Sequence, residues 1–101
     1  MPNPHEITLK EAVTLTHYFQ NDSTFSGMTV SGKYDASVFE DLLAQNGAAG
    51  IRIFFAKNSA GTLTTVLVAT DDSGNDLTDG LLMNKAILCP NNCPVDSPLM
   101  V

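Results

Sequence analysis

The side chains best suited to chemistry in this 101-residue chain are Cys89 and Cys93, the histidines His5 and His17, and the aspartates from Asp71 to Asp79. The cysteines enclose three residues, whereas a redox C-x-x-C motif or a zinc-knuckle half-site encloses two. A tetrahedral zinc site needs four ligands, and His5 and His17 have no paired spacing of their own, so no metal within the chain is expected. Two readings of the cysteines stay open. A disulfide could close the Pro90-Asn91-Asn92 loop and would suit an oxidising compartment; alternatively, two reduced thiols pack beneath the tail.

The segment Asp71-Asp72-Ser73-Gly74-Asn75-Asp76-Leu77-Thr78-Asp79-Gly80 is rich in oxygen donors. Counted as an EF-hand loop from Asp71, it has Asp76 where Gly is required and Leu82 where Glu is required. A solvated loop built on Asx turns is therefore expected in place of a calcium site. No motif links a nucleophile, a base and an orienting acid: the chain lacks G-x-S-x-G, a glycine-rich phosphate loop and a metal-spaced histidine pair. His17 reads as a helix residue. The expectation is a protein that is not an enzyme and uses no cofactor.

The elements that position these residues centre on a β-hairpin at about 50–57 and 62–70. Ile51, Ile53, Phe54 and Phe55 on one side of Asn58-Ser59-Ala60-Gly61, and Val66, Leu67 and Val68 on the other, form runs rich in β-branched and aromatic residues. A four-residue turn places Lys57 opposite Thr62. Ile51, Ile53 and Phe55 then face Val68, Val66 and Thr64 on an apolar surface, and Arg52, Phe54 and Ala56 share a mixed surface with Leu67, Thr65 and Leu63. Two strands alone are marginal in water, so the rest of the chain must cover one face.

The cover comes from two amphipathic helices. Thr8-Leu9-Lys10-Glu11 has the form of a capping box opening a helix at about 9–20, with Leu9, Ala12, Val13, Thr16 and Phe19 on one stripe. Asp35, or Ser37 with Glu40, opens a second helix at about 36–46, with Val38, Phe39, Leu42 and Leu43 apolar and Gly47 placed as a left-handed cap. A weak alternation near 28–34 predicts a short strand. Residues 81–88 predict a strand, or a short helix followed by one. Three prolines between Pro90 and Pro98 exclude a helix or central strand from the tail, 89–101. Residues 1–6 read as a loose lead-in.

Together these give one α+β domain over 1–101: a small antiparallel sheet built on the hairpin, with both helices on one face. The net charge of −6 opposes the phosphate attraction that dominates nucleic-acid binding and disfavours anionic membranes. No apolar run approaches a membrane span and the first residues lack the pattern of a secretory signal, so a cytoplasmic protein is expected, with export by another route left open.

The G-I-R strand at Gly50-Ile51-Arg52, the turn Gly74-Asn75-Asp76 and the ending Cys89-Pro90-Asn91-Asn92-Cys93 resemble a group of short uncharacterised bacterial proteins. The resemblance runs from Ile7 to Cys93. It implies that hairpin, acidic turn and cysteine tail form one unit, and it implies no activity. The function expected is a small binding or assembly module acting through protein–protein contacts or self-association, with Arg52, Phe54 and Leu67 as contact residues. Two alternatives are an acidic inhibitor presenting residues 71–79 to a basic toxin, and a thiol or metal protein using Cys89 and Cys93.

Overall fold

The computed structural model describes residues 3–101, so Met1 and Pro2 of the expected lead-in lie outside the described residues. Helix α1 spans Leu9–Gln20 and opens with the expected capping box. The Glu11 amide donates to Thr8 Oγ1 at 3.1 Å, and the Thr8 amide donates to Glu11 Oε1 at 3.1 Å. Two amide donors that a helix start leaves free are thereby satisfied. None of its residues is fully buried. Its half-buried side meets a single 3-10 turn, Ser23–Phe25, where Phe19 stacks on Phe25 with ring centroids 4.8 Å apart.

The C-terminal segment also holds α1. Gln20 Nε2 donates to the Leu99 carbonyl at 2.9 Å, the Val101 amide donates to Gln20 Oε1 at 2.9 Å, and the His17 ring bonds the Pro98 carbonyl at 3.1 Å. The tail thus packs alongside α1 as a strap. Of the two helices, it is the second that lies on the sheet.

Helix α2 spans Ala36–Leu43 and buries Leu42 completely. It ends earlier than its apolar stripe predicts. Gln45 Nε2 donates to the Leu42 carbonyl at 2.9 Å, while Gln45 Oε1 accepts from the Leu81 amide at 2.8 Å. A side chain anchored in a distant segment thus satisfies a terminal carbonyl that another helical turn would have used. Gly47 does adopt a left-handed conformation, φ 85°, but in the turn beyond the helix. Asp35 is the N-cap and makes no side-chain capping bond.

Strands β2 (Gly50–Lys57) and β3 (Leu63–Thr70) form the central hairpin. Lys57 stands opposite Leu63, one residue on from the expected Thr62. Asn58 is the cause. Its amide donates to the Thr62 carbonyl at 3.0 Å and its Oδ1 accepts from the Thr62 amide at 3.0 Å, leaving Ser59, Ala60 and Gly61 as the loop. Gly61, at φ 84°, takes the left-handed position that closes three-residue hairpin loops.

Because side chains alternate, a one-residue slip exchanges the two faces of β3. Ile51, Ile53 and Phe55 stand opposite Ala69, Leu67 and Thr65, whereas Arg52, Phe54 and Ala56 stand opposite Val68, Val66 and Thr64. The expected pairing of Leu67 with the Arg52 face is corrected: Leu67 is 1% exposed and belongs to the core with Leu42 and Ala69. Tyr34, Val38, Ile51, Leu77 and Met83 pack around that trio.

A short strand β4 (Leu82–Met83) extends the hairpin on the far side of β3, giving the order β2-β3-β4. The segment near 28–34 does not join this sheet. Its strand β1, Ser31–Lys33, pairs with β5, Ile87–Cys89, in a separate antiparallel ribbon with Gly32 opposite Leu88. A Cβ on Gly32 would come within 3.2 Å of Ala86 Cβ, so glycine permits the close approach. The described residues thus form an α+β fold of two helices and two small antiparallel sheets.

This arrangement is open. The accessible surface is 7554 Å², against about 5,500 Å² for a folded monomer of this mass. The radius of gyration is 15.3 Å, where a compact chain of this length has about 13 Å.

Candidate interaction surface

The two edges of the central ribbon are treated differently, and hydrogen bonding shows how. In an antiparallel pair the amide and carbonyl of successive residues point alternately to one neighbour and the other. The Asn58 amide donates to the Thr62 carbonyl across the ribbon, and the Ala69 carbonyl accepts from the Leu77 amide on the far side of β3, so even-numbered residues of β2 and β3 bond each other. Odd-numbered residues therefore point outward on both strands.

On β3 each outward carbonyl from Leu63 to Ala69 is met. Leu63 accepts from Thr29 Oγ1 at 2.6 Å, and Thr65 accepts from Asn84 Nδ2 at 2.7 Å and from the Tyr34 hydroxyl at 3.1 Å. Leu67 lies in register with Met83 on β4, and Ala69 accepts from the Leu77 amide at 2.8 Å. On β2 the outward amides and carbonyls of Ile51, Ile53 and Phe55 have no partner strand among the described residues.

The side chains on this free edge are apolar and exposed. Phe55 is 82% exposed, Ile53 54% and Phe54 46%. Ile53 and Phe55 project on the α2 side, beyond the part of the sheet that Leu42 covers, and Phe54 projects on the other. Natural sheets blunt such edges with charge, proline, bulges or a covering element. Residues 53–56 contain no charge and no proline.

Arg52 is occupied. Its Nη1 donates to Asp76 Oδ1 at 2.7 Å and its Nη2 to the Gly74 carbonyl at 3.1 Å. Of the three expected contact residues, Arg52 and Phe54 share a face and Leu67 lies on the opposite one. Sequence reasoning missed Ile53 and Phe55 as contact candidates because it placed them against the covered face. Their run of β-branched and aromatic residues was the available signal.

The acidic loop is internally bonded. Asp71 Oδ1 accepts from the Ser73 amide at 3.0 Å and from the Asn75 amide at 2.9 Å, forming the expected Asx turn, and Gly74 supplies the left-handed residue at φ 85°. The Asn75 amide bond, above all, holds the Asp71 carboxyl below its ordinary pKa. Among the described residues no three of His, Cys, Asp and Glu gather as a metal site would require.

Cys89 and Cys93 form a disulfide, with Cα atoms 4.7 Å apart. Cys89 is buried at the end of β5 and its carbonyl accepts from the Val30 amide at 2.8 Å. The pair therefore closes the turn that follows the small ribbon. Beside that ribbon an apolar groove of about 400 Å³ is lined by Phe19, Val30, Phe55, Leu63 and Leu88, joining the end of α1 to the end of the hairpin. No helix among the described residues is long and apolar enough to cross a membrane. Comparison with family models, curated proteins and solved structures finds no match for this chain.

Proposed function

We propose that this chain is a small non-enzymatic binding or assembly module that works through protein–protein contacts at β2. One observation carries the reading: the outer edge of β2 presents unpartnered backbone groups at Ile51, Ile53 and Phe55, beneath exposed Ile53, Phe54 and Phe55, while the outward carbonyls of β3 are met by β4 and neighbouring segments. Such an edge recognises an extended strand, with main-chain bonds giving affinity and the flanking side chains giving specificity. Arg52 contributes by fixing the sheet's other margin more than by meeting a partner, since Asp76 and Gly74 hold it.

The alternatives have less support. Asp71 and Asp76 are engaged by the loop and by Arg52, which leaves a toxin-decoy surface with few free carboxylates. The bonded cysteines favour a structural staple over a thiol or metal site, and they support an oxidising working environment over the cytoplasmic expectation.

The test is cross-linking mass spectrometry in native cells, with a photoreactive residue at position 55. Cross-links to one protein at fixed stoichiometry, lost on Phe54→Asp, are expected. Absence of any protein cross-link from β2 would remove the reading.

A further inference from the structure

We propose that the occupant of the β2 edge is a second copy of the chain, paired antiparallel through β2 about a two-fold axis at Phe54. The inference rests on the assembly reading above and names its partner.

A strand is the element that fits, because another backbone offers amides and carbonyls together at the spacing of Ile51, Ile53 and Phe55. It must carry apolar side chains on both faces, to cover Phe54 on one side and Ile53 and Phe55 on the other. The chain itself contains such a strand at equal concentration, and a two-fold interface needs only that one patch be complementary to itself.

The register follows from charge and exposure. Centring on Arg52 would set two guanidinium groups opposite each other, which is destabilising. Centring on Phe54 places Phe54 against the second copy's Phe54 and each Ile53 against the other copy's Phe55. The exposed side chains then cover one another, and Arg52 stands opposite Ala56. In this register the outward-pointing residues 53 and 55 form the hydrogen-bonded pairs, as the ladder requires. The product is a six-stranded sheet, β4-β3-β2-β2-β3-β4, within the ordinary size of natural sheets.

The area agrees. Each chain exposes 7554 Å², an excess of about 2,000 Å² over a compact monomer. A standard interface removes about 800 Å² from each partner, and obligate homodimers remove more. The net charge of −6 on each copy opposes approach, so added salt should tighten association.

The experiment measures solution mass by light scattering and cross-linking by engineered cysteines. The full chain should run at about 22 kDa, twice its 10.8 kDa. Ile53→Pro removes an outward amide without touching the β2–β3 ladder, and should give the monomer mass with unchanged circular dichroism. Under mild oxidation Phe54→Cys should form a covalent dimer, because directly opposed residues in a non-hydrogen-bonded pair lie about 4.5 Å apart, within disulfide reach. Ala56→Cys, on the same face but away from the axis, should not.

A monomer mass for the unmodified chain at its highest soluble concentration would overturn the pairing, as would a dimer indifferent to Ile53→Pro. If Ile53→Pro fails to fold, the two cysteine variants still decide: equal cross-linking at 54 and 56 overturns the register. Monomer mass together with cellular cross-links from β2 to another protein would sink self-pairing and leave the assembly reading standing.

Discussion

The guanidinium of Arg52 reaches across β3 to the carboxylate of Asp76, Nη1 to Oδ1 at 2.7 Å. Arg52 lies on β2 in register with Val68, and Asp76 lies on the far side of β3 in register with Thr70. Directly paired residues share a face, so the ion pair bridges three backbone segments over Val68, which is 2% exposed. The second Arg52 bond, to the Gly74 carbonyl, ties the tip of the acidic turn to the same sheet.

Replacing Arg52 should loosen that turn more than it unfolds the domain. The Arg52 side chain is 45% exposed, so solvent screening holds the loss for Arg52→Ala to about 1 kcal/mol or less. Hydrogen exchange should accelerate at Gly74 through Asp76 while the α2 amides stay protected. Arg52→Lys should recover the charge but not the two-pronged contact. Equal acceleration in both regions would show that the pair supports the fold as a whole.

Leu42 is the keystone of a small core. Its side chain is fully buried against Leu67 and Ala69, so Leu42→Ala should cost about 3 kcal/mol by lost transfer and cavity formation. Phe55→Ala, at an 82% exposed site, should cost little in the isolated chain. Urea denaturation of the two variants at monomeric concentration checks the contrast. Similar losses would mean that Phe55 is covered in solution.

Two carboxylates link stability to pH. Hydrogen bonds from Thr8, its backbone amide foremost, hold Glu11 below its usual 4.5, and the Asn75 amide leads those that hold Asp71 below its usual 3.8. A depressed folded pKa contributes stability that is complete above the unfolded value and is lost as pH falls through the folded one. Both contributions should therefore be present at neutral pH and fade in acid. Asp71→Asn, which keeps the Oδ1 acceptor but cannot titrate, should flatten its share of the profile; carboxyl NMR titration reads both groups directly.

The disulfide should act as a staple on β5. Closing a loop of sequence separation 4 restricts the unfolded chain by about 2 kcal/mol in the chain-entropy account. Cys93→Ser, which spares the buried Cys89, should lower the unfolding free energy read from urea denaturation by that order, and reductant should do the same to the unmodified chain. Bound metal in the reduced protein would revive a ligand role for the pair.

Much of the scaffold was legible in the residues alone. The Thr8–Glu11 capping box, the start of the second helix after Asp35, the central hairpin and the Asx turn at Asp71 are each fixed within a few neighbouring positions. Local hydrogen bonding and alternating polarity are properties of short stretches, so sequence order exposes them. Of the three expected contact residues, Arg52 and Phe54 share one face of the sheet, as the alternation along β2 requires.

What only the tertiary structure decided depends on contacts between distant segments or on a single-residue count. Whether Lys57 faces Thr62 or Leu63 turns on how Asn58 bonds across its loop, and that choice sends Leu67 into the core or out of it. The early end of α2 needs Gln45 to meet Leu81, and the strand at 31–33 needs Ile87–Cys89 as its partner. Above all, a strand's sequence does not record whether both of its edges are paired. Ile53-Phe54-Phe55 would read identically at the centre of a sheet, and only the assembled order β2-β3-β4 leaves it outermost.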